Sequence, residues 1–191
     1  PIDEPRASVS GPDPSRILLI GNGPVAGFGV ASHSVALPGH LARQVAAIIE
    51  RGVELQLVTH LELTIANATR HFADQSESTY DLVICMIGSV DAAYQTPTAD
   101  WRKPLARLTA AIAEHSPHAQ LLLVSIPSSK TLRLVPGLTA SAMDARAREL
   151  DAVSLELAGA LPRTHFLPFD PPAEPSPDRH RSSATYRAWA Q

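Results

Sequence analysis

The constraint that most limits what this chain can fold into is the alternation of short apolar runs with longer stretches of helical period. Leu82-Val83-Ile84-Cys85-Met86-Ile87 is apolar at every position, and Arg16-Ile17-Leu18-Leu19-Ile20 is apolar at all but one. A strand with one wet face alternates apolar and polar residues, so uninterrupted runs of this length indicate burial on both faces. Such strands need helices crossing over them, and the intervening segments have the length and period to supply these. The expected class is α/β.

Strands are placed at 16–20, 53–58, 80–87, 121–126 and 165–169, and helices at 40–51, 64–74, 100–115, 141–159 and from 183 onward. Local chemistry bounds several of them. Asp100 is placed as the cap of the third helix, with Pro104 in its first turn. Gly52 follows the first helix where a left-handed residue is wanted, and Ser116-Pro117 ends the third. Two proline-punctuated segments, residues 1–15 and Asp170-Pro171-Pro172-Ala173-Glu174-Pro175-Ser176-Pro177, read as loops or extended arms. With 191 residues and 45% hydrophobic content, the chain has enough apolar surface for one core. The expected organisation is therefore a proline-rich arm over 1–15 and a single domain over 16–191.

A formal net charge of -3 offers no basic field for nucleic acid or an anionic membrane surface, so neither is expected as a partner. Cys85, the single cysteine, lies inside an apolar run and is read as a core thiol. No stretch reaches the roughly 18 apolar residues of a membrane span. The start, Pro1-Ile2-Asp3-Glu4-Pro5, lacks the basic and apolar parts of a signal peptide. The expectation is a soluble, cytoplasmic bacterial protein; a start at proline leaves room for a longer chain from which a targeting segment has been removed.

The first apolar run leads into Gly21-Asn22-Gly23-Pro24-Val25-Ala26-Gly27. Formally this fits the dinucleotide fingerprint G-x-G-x-x-(G/A), which requires a helix to begin at the glycines so that its amino end meets a pyrophosphate. Here Pro24, Phe28, His33 and Pro38-Gly39 intervene before any helical pattern, so that reading is disfavoured. The same turn resembles the opening block of the SGNH (GDSL-type) hydrolases, in which Gly-Asp-Ser follows the first strand and another glycine comes four residues after the serine. Gly21, Asn22, Gly23 and Gly27 keep that spacing. Gly88-Ser89-Val90-Asp91, after an apolar run, is similar to the family's Gly-x-Asn-Asp block, and 177–190, with His180 and Tyr186, is similar to its Asp-x-x-His block. These matches are co-linear over nearly the whole chain. The resemblance implies a three-layer α/β/α sandwich, flavodoxin-like, with a five-stranded parallel sheet in the order 2-1-3-4-5 and a site at the carboxyl ends of the strands.

The departures from the family pattern fall on the residues that do its chemistry. The resemblance implies a serine nucleophile at the position of Gly23, a histidine base at His180 oriented by Asp178, and an oxyanion-binding asparagine at the position of Val90. Gly23 has no oxygen, Val90 has no donor, Asp178 lies one residue closer to His180 than the family spacing, and residues 59–67 contain no glycine where the second block has one. Asn22, Gly23, Gly88, Ser89 and Asp91 are the expected ligand contacts. Ser89, Ser32 and Ser34 are the serines that a relocated nucleophile would draw on, and Asp170 is a second candidate partner for His180. The other histidines show no ligand spacing; no metal and no other cofactor is expected. Trp101 is read as helix packing and Phe28 as a cover over the site loop.

Three functions remain open on these residues. The first is a non-catalytic or weakly active pseudo-esterase that binds an acylated small molecule or carbohydrate ester. The second is an active esterase or acyl-transfer enzyme with a displaced nucleophile, and the third is a scaffold or regulatory interaction protein. Oligomeric state is not encoded in any motif.

Overall fold

A computed structural model describes residues 1–74, 79–132, 138–171 and 181–191. Its strands are β1 (Arg6–Val9), β2 (Ser15–Gly21), β3 (Val53–Val58), β4 (Leu82–Met86), β5 (Gln120–Val124) and β6 (Thr164–Leu167). Its helices are α1 (Leu37–Ile49), α2 (Ile65–Ala73), α3 (Ser89–Ala93), α4 (Thr98–His115), α5 (Ser129–Leu132), α6 (Leu138–Ala160) and α7 (Ser183–Trp189). The sheet runs β1-β3-β2-β4-β5-β6. Among themselves β2 to β6 are parallel and have the expected 2-1-3-4-5 order.

Parity along the central strands sorts the core into two layers. Leu18, Ile20, Val83, Cys85, Leu121 and Leu123 face Ile65 and Phe72 of α2, Trp101, Leu105 and Leu108 of α4, and Met143 and Leu150 of α6. Ile17, Leu19, Leu55, Leu57, Ile84 and Val124 face Ala42 and Ala46 of α1. α7 extends this second face with Tyr186 and Trp189, packed on Ala36 and Leu37. Both faces being covered explains why β2 and β4 are apolar without alternation over Ile17–Ile20 and Leu82–Met86. Cys85 is a fully enclosed core thiol whose pKa burial pushes up to about 12. Trp101 is buried as expected and donates its indole N–H to Ser154 Oγ at 3.0 Å.

Four expectations need correcting. The sheet has six strands, not five: Arg6–Val9, inside the segment read as a loop or extended arm, pairs antiparallel with β3 in the register Arg6 with Gln56 to Val9 with Val53. The left-handed residue after α1 is Glu50, at φ 55°, and not Gly52. Gly52 is needed for close approach instead, since a Cβ there would lie 2.8 Å from the Gly11 carbonyl oxygen. α4 begins at Thr98 with Pro97 at its cap position, so Asp100 lies in the first turn and Pro104 beyond it. Having no N–H, Pro104 leaves the Asp100 carbonyl without its helical donor. Among the described residues no helix is long and apolar enough to cross a membrane.

Candidate functional site

The loops leaving the carboxyl ends of β2, β3 and β4 enclose a cleft of about 490 Å³, with Arg181 contributing from just before α7. This is where parallel sheets of this kind hold ligands, since the order of connection reverses beside the first strand.

The β2 loop supplies Asn22, Gly23, Ala26 and Phe28. Gly23 sits at φ 57°, a left-handed conformation that most side chains resist. Asn22 is 5% exposed and donates Nδ2–H to the Leu63 carbonyl at 2.9 Å. That bond fixes the orientation of the amide, and Oδ1 is left buried without a partner. Phe28 is held from behind, where the Tyr186 hydroxyl donates to its backbone carbonyl.

The β3 loop, residues 59–64, is tied by hydrogen bonds at His60, Glu62, Leu63 and Thr64. Leu63 N–H returns to the His60 carbonyl, and Glu62 N–H donates to His60 Nδ1 at 3.2 Å. Asn67 ties the loop to α2: its Nδ2–H reaches the Glu62 carbonyl at 2.9 Å, and its Oδ1 accepts from Thr64 N–H at 3.0 Å. The ring of His71 stacks on His60, with centroids 5.4 Å apart.

The β4 loop turns at Gly88, φ 121°, where a Cβ would lie 2.5 Å from Ile126 Cδ1. α3 follows, with Ser89, Val90, Ala93 and Tyr94 on the cleft. Asp91 points away from it and is 2% exposed. Its carboxylate accepts from Ile65 N–H, the first amide of α2, at 3.2 Å, and from Thr96 Oγ1. Burial raises the Asp91 carboxyl to about 6, against the lowering effect of those donors. With Ile65 N–H taken by Asp91, the start of α2 does not offer that amide to a ligand.

The expected site residues therefore separate into groups. Asn22, Gly23, Ser89 and Val90 line the cleft together, whereas Gly88 and Asp91 shape its wall from behind. His180 and Asp178 lie outside the described residues. Asp170 is exposed. Ser32 and Ser34 are away from the cleft, with their hydroxyls 2.6 Å apart. Arg181 reaches the Thr131 carbonyl and sits 5.1 Å from the centre of the Trp189 ring. Among the described residues no three histidine, cysteine, aspartate or glutamate side chains are grouped to hold a metal.

A histidine–serine contact elsewhere resembles catalytic geometry but has the wrong polarity. His40 Nε2 lies 3.0 Å from Ser183 Oγ, and Arg43 donates to His40 Nδ1 at 2.9 Å. Arginine is only a donor, so Nδ1 is the acceptor nitrogen and Nε2 carries the proton toward Ser183. His40 cannot deprotonate that serine in this tautomer. Burial, helped by the neighbouring charges of Arg43 and Arg187, lowers its pKa and keeps it neutral.

Sequence reasoning passed over His60, Leu61 and Tyr94. Leu61 and Tyr94 are 72% and 81% exposed and, with Phe28 at 46%, form an apolar rim. Large apolar side chains left in solvent around one concavity indicate a ligand surface. The available signal was position: His60 and Leu61 come two and three residues after the end of β3, and Tyr94 comes directly after α3, the short helix that follows β4.

Comparisons with known proteins agree with this architecture. The profile of the GDSL-like Lipase/Acylhydrolase family matches residues 19–187. No curated protein sequence matches. A family two carbohydrate esterase from Clostridium thermocellum, solved with cellohexaose, superposes with a TM-score of 0.61 at 14% identity, over 95% of this chain and 63% of its own. A salicylyl-acyltransferase from a tetracycline biosynthetic pathway, SsfX3, gives 0.65 at 18%, over 95% of this chain and 52% of its own. A lipase from a goat rumen metagenome gives 0.65 at 13%, over 92% of this chain and 94% of its own. At these identities the superpositions speak for the fold, and with the profile spanning β2 to α7 the chain belongs to the GDSL-like lipase/acylhydrolase family.

Proposed function

We propose that this chain is a degenerate member of its family, which holds an acylated small molecule or a carbohydrate ester in the cleft and hydrolyses it slowly or not at all. The observation that carries this reading is that Gly23 and Val90 line the same cleft, where the family pattern has a nucleophile and an oxyanion donor. Loss of the nucleophile alone lowers turnover in serine hydrolases by about 10⁶, roughly 8 kcal/mol of barrier. Loss of an oxyanion side chain adds on the order of 10² to 10³. Binding does not need either group. Phe28 and Tyr94 supply aromatic faces for a sugar or acyl group, and Leu61 adds apolar area. By the family pattern His180 is the proposed polar ligand partner and Asp178 the carboxylate proposed to orient it; Asn22 and Ser89 are the proposed ligand contacts among the residues that line the cleft.

A serine-reactive fluorophosphonate probe tests this directly. The expected result is no labelled serine, together with 4-nitrophenyl acetate turnover close to the uncatalysed rate. One labelled serine whose labelling is lost in His180→Ala would overturn the reading.

A second reading, an esterase or acyl-transfer enzyme with a displaced nucleophile, is favoured by Ser89, which places a hydroxyl on the cleft wall at the first residue of α3. Mass spectrometry of probe-treated protein distinguishes the two, because this reading requires the label on Ser89.

A further inference from the structure

The β3 loop carries a polar group that the family motifs do not use. His60 lines the cleft, and its ring is held on two sides: Nδ1 accepts from Glu62 N–H at 3.2 Å, and His71 stacks on one face. A backbone amide can only donate, so Nδ1 carries no proton and the neutral ring must carry it on Nε2. Nε2 has no hydrogen-bond partner among the described residues. The loop beneath is braced by Asn67 and by the bond from Asn22 to the Leu63 carbonyl, so the imidazole is presented without needing to be ordered when a ligand arrives.

We infer that His60 is a ligand-binding residue of this cleft, whose Nε2–H donates to the carbonyl oxygen of the bound acyl group. The inference rests on the ester-binding reading above and adds to it the residue that recognises the ester as an ester. With valine at position 90 and the Ile65 amide occupied by Asp91, His60 takes over the recognition of the carbonyl from the opposite wall. The same tautomer keeps His60 from acting as a base toward the cleft, because its acceptor nitrogen is turned to the backbone. It therefore favours a bound ester over the matching ether while supplying no base for its cleavage.

Phenyl acetate and ethyl phenyl ether test this, since they have the same length and differ in the carbonyl. Both are titrated into isotope-labelled protein while the amide resonances of residues 22–28, 60–64 and 89–94 are followed. One neutral hydrogen bond corresponds to about fivefold to tenfold in affinity. The expected result is a preference of that size for phenyl acetate, its loss in His60→Phe, which keeps a ring to stack on His71, and its partial return in His60→Gln, which restores an N–H donor. Affinity for the ether should be unchanged in both variants. If both compounds bind and His60→Phe keeps the preference, the role of His60 is overturned while the ester-binding reading stands. If neither perturbs the cleft resonances, the ester-binding reading fails and the role of His60 with it.

Discussion

The phenolic hydroxyl of Tyr186 donates to the backbone carbonyl of Phe28 at 2.8 Å, so a fully buried residue of the last helix holds the loop that forms one wall of the cleft. Phe169 and Tyr186 both pack edge-on against Trp189, which fixes α7 in turn. Tyr186→Phe keeps this packing and removes the hydroxyl, and with it both the bond to Phe28 and the contact with Arg181. It should destabilise the protein by about 1 kcal/mol, read as a lower urea midpoint at unchanged slope. It should also speed amide exchange across residues 23–30. Unchanged exchange there would show that the loop is held by other contacts.

Gly23→Ser would place a side chain at φ 57° and should cost roughly 1 kcal/mol of stability. It should not produce an efficient esterase, because Val90 still offers no donor to the oxyanion and the single donor proposed at His60 would act alone. Thermal denaturation and 4-nitrophenyl acetate assays check both parts. Efficient turnover by this single variant would mean that the oxyanion is held by groups other than residue 90.

Asp91 gives a pH dependence whose sign is fixed. Burial raises its carboxyl from 3.8 to about 6, so between these values the native state keeps a proton that the unfolded chain has released. Stability contributed by this group is thus present at low pH and is lost as pH rises through about 6. A shift of two units bounds the effect at roughly 3 kcal/mol. Asp91→Asn keeps an acceptor for Ile65 N–H and cannot ionise, so it should exceed wild type in stability at pH 7.5 and converge with it near pH 4. His40, whose pKa is lowered, pulls the whole-protein profile the other way, which makes the gap between the two proteins the quantity to measure. A gap that does not narrow on acidification would contradict the assignment.

Ser183 should be inert. Since His40 donates to it, Ser183→Ala should leave probe labelling and ligand binding unaltered and reduce stability by about 1 kcal/mol. Labelling of Ser183 would reverse the tautomer assigned to His40.

Tyr94, at 81% exposure, supports little of the fold. Tyr94→Ala should change stability by less than about 0.5 kcal/mol and weaken binding of phenyl acetate several-fold, measured in the same titration. Equal affinity in the variant would remove the rim from the binding surface.

What the sequence made legible follows from which residues carry redundant information. Leu18 and Ile20 face one layer while Ile17 and Leu19 face the other, and both must be apolar, so the central strands could be read without reference to their partners. β1 has only Ala7 and Val9 facing protein and is bracketed by prolines, so its pairing depends on β3 and leaves little local trace. α3 and α5 are too short to show a period. Gly52 was placed in the wrong role because a glycine tolerates a left-handed turn and a close approach equally, and only the neighbouring Gly11 chain distinguishes them. Asn22, Gly23, Ser89 and Val90 were found by spacing along the sequence. His60 was not, because what makes it a candidate is its tautomer, and that depends on where the Glu62 amide points.

The bond between Tyr186 and Phe28 joins residues 158 apart in sequence, whereas β2 and β3 are joined through one crossover helix. Closing the longer span is entropically the more expensive step, so the cleft wall completes after the sheet in the order of folding. The central sheet can therefore form before α7 closes over it and the binding surface is complete, and hydrogen-exchange pulse labelling should find β2 and β4 protected before the amides around Phe28.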